Sequence, residues 1–462
     1  MVDIVLAQAD SGLSASLERL FKLLRIKSIS TDGAYAEDCA EAAEWCADTL
    51  RSIGFDAAVR PASGHPMVVG HGGPKNAPLH VLFYGHYDVQ PVDPLNLWEH
   101  PPFEPHLAKG AAGQDIIVAR GACDDKGQLM TFVEACRAYR DAGRELPLRV
   151  TVLLEGEEEC GSSGLEDFLH ANRDELASDV VLVCDTEMWN AQTPAITSML
   201  RGALLEEVFV DAANRDLHSG MYGGAARNPI RVLARIIADL HDDGGRITIP
   251  GFYDGVEEPT TDERALWDGL GFNEAKFLGG VGLSVPAGEK GRSVLEQVWS
   301  RPTCDVNGIV GGYIGEGSKT VIPATASAKI SFRLVGKQDP EAISRNFRRF
   351  VEARLPADCK ARFLRHGADP AVGFALQGPY FEAARAALSA EFGCETALVG
   401  CGGSIPIVRT FKVSFGMDSL LVGFGLDDDK VHSPNEKYNL SSFHHGIRSW
   451  VRIIDKLGEI TV

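Results

Sequence analysis

The sequence lacks three features that would each indicate a particular class of protein. It has no run of 18 apolar residues, and its start, Met1-Val2-Asp3-Ile4, has neither the basic residues nor the apolar core of a signal peptide. Its 10 cysteines include no CxxC pair, so neither a cysteine zinc module nor a disulfide framework is expected. Basic residues are scarce, and the formal net charge of −19 argues against a nucleic-acid partner. We therefore expect a cytoplasmic protein with reduced thiols that binds neither nucleic acid nor membrane.

The length and the first part of the chain predict a large α/β domain. With 462 residues the chain exceeds one compact core of typical size, so two domains are expected. Helix-spaced apolar positions occur at 13–26 and 36–53. From about Leu79 to Cys184, strand-like runs then alternate with helical stretches such as 126–142. This rhythm predicts a mainly parallel central sheet flanked by helices.

A change of pattern after about residue 200 predicts an inserted α+β domain. The elements expected there are, in chain order, a strand at 204–211, a helix at 229–240, one short helix near 261–267 in an otherwise irregular stretch at 242–291, strands at 320–322 and 326–335, and a helix at 340–353. A helical pattern at 380–392 then returns to the first domain. We predict that 1–201 and 374–462 form one discontinuous domain and that 202–373 is an insertion, whose two crossings permit closure over a substrate.

Carboxylate and imidazole groups directly follow four of the apolar strand-like runs. The runs and their groups are 81–84 before His86 and Asp88, 150–154 before Glu155 to Glu159, 180–183 before Asp185, and 420–422 before Asp427 to His432. A fifth segment, 120–127, contains Asp124 and leads into a predicted helix. Ligands gather outside the carboxyl ends of strands in an open α/β sheet, so these groups are expected to converge. The arrangement indicates a two-metal hydrolase.

Taken alone, several of these groups also have a structural explanation. His86 could be a hydrogen-bonded core histidine, Asp124 could cap the helix that follows, and the acidic cluster ending at Glu159 could be a solvated loop. Asp185 is different, because an unpaired carboxylate at the end of an apolar strand would be costly to bury.

Three cysteines lie directly beside these groups, namely Cys123, Cys160 and Cys184. Neighbouring residues of a strand point to opposite faces, so Cys184 points away if Asp185 points into the site. Free cysteine is usually a small buried packing residue, so we expect none of the three to bind metal.

Together the motifs resemble the M20 family of metallopeptidases, especially its carnosinase-like dipeptidases. The motifs are GHYDV at 85–89, RGACDDKG at 120–127, EGEEECGS at 155–162, VCD at 183–185, DLHSG at 216–220, KTVIP at 319–323, FRLV at 332–335, GGSIP at 402–406 and HSPNEKY at 432–438. The resemblance spans nearly the whole chain. It implies that the discontinuous domain is catalytic and that the insertion is a lid and dimerisation domain.

The resemblance implies two metal ions, usually zinc, with manganese or cobalt as possible substitutes. It makes His86, Asp124 and Asp185 the ligands of one ion and Asp124, Glu159 and His432 the ligands of the other, with Asp124 bridging. It further implies that Glu158 is the general base and acid and that Asp88 supports His86. A charge count agrees, since the three carboxylates and a bridging hydroxide offset the charge of two divalent ions.

The resemblance also implies how a substrate is held. His218 would reach the site of a neighbouring subunit and stabilise the oxyanion, which requires a homodimer. Arg333 would grip a substrate carboxylate with its planar guanidinium. Thr320 and the turn containing Gly403 and Ser404 would add hydroxyl or backbone donors around the same carboxylate.

The predicted function is therefore a dinuclear metal-dependent hydrolase that cleaves dipeptides or short peptides bearing a free carboxylate. A metal-bridged hydroxide would attack the amide bond, with Glu158 as base. One alternative is an N-acyl amino acid deacylase or desuccinylase of the same fold. Others are a noncatalytic binding or scaffold protein and a hydrolase with Cys123 or Cys160 as nucleophile, which would survive chelation of metal.

Overall fold

The computed structural model describes residues 2–374, 377–403 and 405–460 of the chain. Contacts divide the protein into two compact units. The first consists of the residues up to Ser198 with Phe374–Val399 and the residues from Ile407, and the second consists of Met199–Gly373 with Gly400–Pro406. Among the described helices, none combines the length and the apolar composition that a membrane span requires.

The helices are numbered along the chain. They are α1 (Val2–Leu24), α2 (Ala36–Ser52), α3 (Lys126–Asp141), α4 (Leu165–Ala171), α5 (Arg173–Leu176), α6 (Ser219–Tyr222), α7 (Pro229–Ala238), α8 (Thr261–Gly269), α9 (Glu274–Gly280), α10 (Val294–Trp299), α11 (Pro340–Glu352), α12 (Pro379–Phe392), α13 (Pro406–Phe415) and α14 (Leu440–Gly458). Short 3₁₀ turns lie at Gly33–Tyr35, Leu95–Leu97 and Glu158–Cys160.

The strands are numbered in the same way. They are β1 (Asp56–Arg60), β2 (Met67–Gly72), β3 (His80–His86), β4 (His106–Lys109), β5 (Asp115–Val118), β6 (Arg149–Glu155), β7 (Val180–Val183), β8 (Ala195–Leu200), β9 (Gly202–Asp211), β10 (Leu217–His218), β11 (Thr303–Gly311), β12 (Val321–Ile322), β13 (Thr325–Leu334), β14 (Lys360–Asp369), β15 (Val372–Gly373), β16 (Ala397–Cys401), β17 (Asp418–Leu421) and β18 (Lys437–Asn439).

The sheet of the first unit has the predicted parallel centre. Its order runs β1, β2, β6, β3, β7, β17 and β8, and β3 is parallel to both β6 and β7, as β17 is to β7. β1 and β2 extend it antiparallel at one side. The central strands are apolar and buried almost throughout, as expected for parallel strands covered on both faces. The expectation of a mainly parallel sheet flanked by helices is confirmed.

Aromatic rings join the helices of this unit to its sheet. Phe132 of α3 stacks on Phe83 of β3 with ring centroids 3.9 Å apart, and Trp450 of α14 meets Phe83 edge-on. All three side chains are fully buried, so they contribute large apolar areas to folding. The strand that ends in His86 is thereby packed against two helices on the face to which Phe83 points.

Glu391 of α12 ties that helix to α14 by a buried cluster of ion pairs. Its carboxylate binds Arg448 at 2.6 Å, Arg452 at 2.9 Å and His445 at 2.9 Å. Burial opposes ionisation, yet the three cationic partners lower the pKa of Glu391 to about 2. The carboxylate therefore stabilises the fold at pH values above its unfolded pKa near 4.5, and this contribution is lost as the pH falls towards 2.

We therefore predict that Glu391→Gln lowers the free energy of unfolding by on the order of 3 kcal/mol near neutral pH. The difference from wild type should shrink between pH 4.5 and pH 2, because the wild-type carboxylate becomes protonated on unfolding there. Urea unfolding of both proteins at several pH values measures this difference in the free energy of unfolding. A difference that does not change with pH would contradict this electrostatic origin.

The second unit has its own core around an antiparallel sheet of order β11, β13, β9 and β14. Asn228 caps α7, since its side chain accepts from the amide of Ile230 at 2.9 Å, and the helix begins at Pro229 as predicted. The expectation of only one short helix in 242–291 was wrong, because α9 follows α8. Asn273 caps α9, and the glycines at its end had weakened the helical signal.

Candidate metal centre

Parallel strands bring four of the predicted ligand segments to one edge of the sheet. His86 is the last residue of β3, and Asp185 follows β7 by two residues. Glu159 lies in the 3₁₀ turn after β6, and His432 lies in the loop after β17. Since β6, β3, β7 and β17 are neighbours and parallel, the loops that leave their carboxyl ends can meet.

Asp124 reaches the same edge on a tight loop between β5 and α3. The turn depends on Gly127, because a Cβ atom there would lie 1.9 Å from the carbonyl oxygen of Ala122. Gly121 has φ near +79°, a conformation in which glycine carries no steric penalty. The glycines of the RGACDDKG motif thus fold the chain sharply enough to place Asp124 directly before the helix.

His432 lies in a loop whose backbone is strained. Lys430, His432 and Asn435 have φ values of 57°, 61° and 62°, which non-glycine residues seldom adopt. The side chain of Asn435 bonds Glu99 and Leu97, and this fixes the loop from outside. Strain that the surroundings maintain is typical of functional loops.

The ligand atoms form two groups that share one carboxylate. The first contains His86, Asp124 and Asp185, the second contains Asp124, Glu159 and His432, and the ligand atoms within each group lie within 4.8 Å of one another. Asp124 Oδ1 is 3.1 Å from His86 Nε2, whereas Asp124 Oδ2 is 2.9 Å from His432 Nε2. The two oxygens of one side chain therefore face the two groups, as a bridging ligand requires.

A second layer of side chains orients these groups. Asp88 Oδ1 lies 3.3 Å from His86 Nδ1, which leaves Nε2 facing the site, and Asp88 Oδ2 accepts from the amide of Glu159 at 3.1 Å. Gln90 donates to Glu159 Oε2 at 2.8 Å. Sequence reasoning missed Gln90, although it continues the spacing of two residues set by His86 and Asp88.

The pKa values of the ligand side chains indicate that the two ligand groups carry excess negative charge, which bound cations would offset. Burial and the neighbouring Asp124 carboxylate raise the pKa of Asp185 well above its ordinary value. Hydrogen bonds to Asp124 and Glu159 raise the pKa of the His432 imidazole to about 10. Divalent cations would offset this charge, and a set of carboxylates and imidazoles without thiolate suits zinc, manganese or cobalt. The residues therefore fit the metal ions that the sequence motifs imply.

Glu158 is adjacent to Glu159 but belongs to neither ligand group within the described residues. Burial raises its pKa to about 7, and the carboxylates of Glu159, Asp124 and Asp88 add to the shift while His86 opposes it. A carboxyl group whose pKa lies near neutrality can both take up and release a proton at physiological pH.

The neighbouring cysteines do not belong to these groups. Cys123 donates to Asp429 at 3.3 Å, and Cys184 contacts Thr131 and Gln128 on α3. Burial raises the pKa of the Cys123 and Cys184 thiols well above the ordinary range, so both remain protonated. Neither therefore offers the thiolate that metal binding or nucleophilic attack needs.

His218 and Thr320 lie where two short strands of the second unit pair, whereas Arg333 lies on the long strand β13. His218 on β10 pairs with Val321 on β12, and the carbonyl of Thr320 accepts from Ser219 at 3.0 Å, so the His218 and Thr320 segments are adjacent. His218 Nδ1 accepts from the amide of Gly220 at 3.0 Å. The neutral ring therefore carries its proton on Nε2, where it can donate to an oxyanion.

Arg201 is a charged residue beside Arg333 that sequence reasoning missed. Its Nε donates to the carbonyl of Gly402 at 3.0 Å, its amide donates to the carbonyl of Gly403 at 3.1 Å, and its buried Nη1 has no hydrogen-bond partner among the described residues. Burial and the charge of Arg333 lower the pKa of Arg201 to about 10. The charge of Arg333 therefore acts on a guanidinium group that is fixed at the Gly402–Gly403 turn. The predicted residue Ser404 lies outside the described residues.

Comparison with known proteins places the chain among metallopeptidases. Residues 82–456 match the model of peptidase family M20/M25/M40. Cys-Gly metallodipeptidase DUG1 of Candida albicans is 31% identical over 456 residues, which cover 94% of this chain and 92% of that protein. Human carnosine dipeptidase 1 has a TM-score of 0.85 at 25% identity, with 99% of both chains covered. An M20 metallo-carboxypeptidase of Sulfolobus solfataricus has a TM-score of 0.85 at 31% identity, with 96% and 99% covered.

Proposed function

Since the chain belongs to peptidase family M20/M25/M40, we propose that it is a two-metal dipeptidase that cleaves dipeptides or short peptides with a free carboxylate. One observation carries the proposal, namely that the two oxygens of Asp124 face two separate ligand groups. A single-metal site would have no use for this arrangement.

The proposed ligands are His86, Asp124 and Asp185 for one ion and Asp124, Glu159 and His432 for the other. We propose zinc at both positions, which imidazole and carboxylate ligands accept. When bound, two such ions lower the pKa of a water molecule and polarise the scissile carbonyl. Asp88 and Gln90 keep the ligands His86 and Glu159 in place.

The protein itself supplies the proton transfers. Glu158 is proposed to remove a proton from the attacking water and to return it to the amide nitrogen that leaves. A half-buried carboxyl group with a pKa near neutrality suits both steps, since a strong acid would not hold the proton and a strong base would not release it.

We propose that Arg333 and Arg201 together bind the substrate carboxylate, with Thr320, Gly403 and Ser404 adding donors around it. The Nη1 atom of Arg201 supports this, because it is buried without a partner among the described residues and such a nitrogen is costly unless a ligand binds it. A substrate with a C-terminal carboxylate would also relieve the repulsion between the two cations.

Arg333→Lys and Arg201→Lys should each raise KM for a dipeptide about 10- to 100-fold, because lysine cannot form the bidentate pair. Each variant should also lose discrimination between the dipeptide and its C-terminal amide. Arg362→Lys is the control, since Arg362 pairs with Asp211 on the outside of the sheet. If both variants still distinguish the dipeptide from its C-terminal amide as well as wild type does, these arginines do not bind the substrate carboxylate.

The substrate class is tested with unblocked dipeptides, Cys-Gly and β-Ala-His among them, against N-acetyl and N-succinyl amino acids. Hydrolysis of free dipeptides at higher kcat/KM supports the proposed function. Preference for the N-acyl amino acids would instead make the protein a deacylase of the same fold. If a chelator abolishes activity and added zinc restores it, the reaction depends on metal, as expected for either the dipeptidase or the deacylase and not for cysteine catalysis.

We further propose a homodimer formed by the second unit. β11 is an edge strand of its sheet, and apolar side chains on or just after it are exposed, among them Ile309 at 59%, Val310 at 61% and Ile314 at 88%. Such an exposed edge can pair with the same strand of a second copy.

We propose a cytoplasmic location. None of the ten cysteines, all of which lie in the described residues, forms a disulfide bond, which agrees with a reducing compartment.

In the homodimer formed by the second unit, His218 is proposed to act on the site of the partner. We predict that His218→Ala and Glu158→Gln, each nearly inactive alone, regain about a quarter of wild-type activity when unfolded and refolded together. Half of the dimers would be mixed, and one site in each mixed dimer would have both residues intact. Light scattering checks the dimer, and no regain of activity in mixed dimers would overturn the action across subunits.

A further inference from the structure

We propose that Glu436 is a positioning residue that fixes the bridging ligand Asp124 through the main chain of its loop. The inference rests on the metal centre proposed above. It adds a residue that contacts neither substrate nor metal, and it explains why the HSPNEKY segment supplies more than the ligand His432.

The carboxylate of Glu436 is fully buried and binds the Asp124 loop at four points. Its Oε1 accepts from the amides of Cys123 at 2.9 Å and Asp124 at 3.1 Å. Its Oε2 accepts from the amide of Gly121 at 3.0 Å and from Arg120 Nη1 at 2.7 Å. Each oxygen therefore accepts two hydrogen bonds, which is its full capacity.

This contact joins two ligands that lie about three hundred positions apart in the sequence. Asp124 is held at its amide by Glu436, while its side chain faces His86 and His432. His432 lies four residues before Glu436 on the same segment. A movement of this segment would therefore displace His432 and the backbone of Asp124 together, so that these two members of the second ligand group move as one body.

The segment is itself fastened directly after Glu436. Lys437 binds Asp428 at 2.7 Å and Asp429 at 2.5 Å, and Asp429 accepts from Cys123 at 3.3 Å. β18 begins at Lys437 and pairs with β5, whose end leads into the Asp124 loop. The loop that carries His432 and the loop that carries Asp124 are thus joined at several points.

The chemistry of the contact requires a carboxylate. The three amides of the Asp124 loop converge on an anion, as backbone amides do in an anion-binding nest. Arg120 balances the buried charge, and its Nη2 donates to the carbonyl of Pro91 at 3.0 Å. A glutamine at 436 would turn its NH₂ group towards amides that also donate, so the loop would have to shift.

The test compares Glu436→Gln with Glu391→Gln, which removes a buried carboxylate on α12 from its ion pairs with two arginines of α14. Metal-free protein is titrated with Co²⁺, and both the dissociation constants and the visible cobalt spectrum are recorded, with thermal unfolding alongside. We expect Glu436→Gln to bind cobalt about 10- to 100-fold more weakly and with an altered spectrum, as for other losses of an outer partner. Glu391→Gln should lose thermal stability but keep wild-type affinity and spectrum.

Glu436→Asp is the second variant, for use if Glu436→Gln does not fold. It keeps the charge but is one methylene shorter, so it should bind cobalt with intermediate affinity. Wild-type affinity and spectrum in either folded variant would overturn the positioning role while leaving the proposed function intact. A wild-type protein that binds no Co²⁺ would overturn the proposed metal centre and this inference with it.

Discussion

Glu158→Gln is expected to lower kcat about 10²- to 10⁴-fold while both metal ions remain bound. Glutamine has the shape of glutamate but cannot take up a proton from the attacking water. Because Glu158 belongs to neither ligand group, its replacement should leave the metal sites intact. The measurement is kcat on the best dipeptide substrate, together with the metal content of the purified protein.

The adjacent residue provides a matched control for this prediction. Glu157 is also buried, but its carboxylate accepts from the amide of Gly164 at 3.2 Å and belongs to neither ligand group. Glu157→Gln should therefore keep kcat within a few-fold of wild type. If Glu158→Gln keeps kcat within about tenfold of wild type, Glu158 is not the base. If it loses metal, Glu158 is a ligand instead.

Much of the first unit could be predicted because burial shapes its sequence directly. A strand covered on both faces is apolar throughout, so the runs at 81–84, 150–154 and 180–183 marked β3, β6 and β7 to within two residues. A charged residue just beyond such a run has few places to lie except the sheet edge. His86 and Asp185 could therefore be assigned to the candidate site from the pattern alone.

The supporting residues could not be predicted, because their partners depend on how the loops fold. Glu436 is one polar residue among several in HSPNEKY, and only the structure reveals that it binds the amides of another loop. Arg201 looks like an ordinary residue between two strands until its contact with the Gly402–Gly403 turn is known. Sequence patterns report burial and periodicity, whereas these contacts join segments that lie hundreds of residues apart.

Replacing Asp124, the carboxylate that both ligand groups share, is the second change from which we expect a large effect. Asp124→Asn is expected to weaken the binding of both ions more than about 100-fold, beyond the loss of an outer partner, and to reduce activity to background. The two carboxylate oxygens of Asp124 face the two ligand groups, and asparagine lacks one of these oxygens and the negative charge. Three carboxylates would become two in a site that must offset two divalent cations.

Asp185→Asn is the informative comparison, since Asp185 belongs to only one of the two groups. This variant should bind one ion much more weakly and keep the other bound. Equilibrium dialysis against zinc should therefore yield close to one ion per chain. Asp124→Asn should yield close to none under the same conditions. If the two variants retain the same number of ions, the carboxylate of Asp124 does not join the two sites, and the groups must be treated as independent.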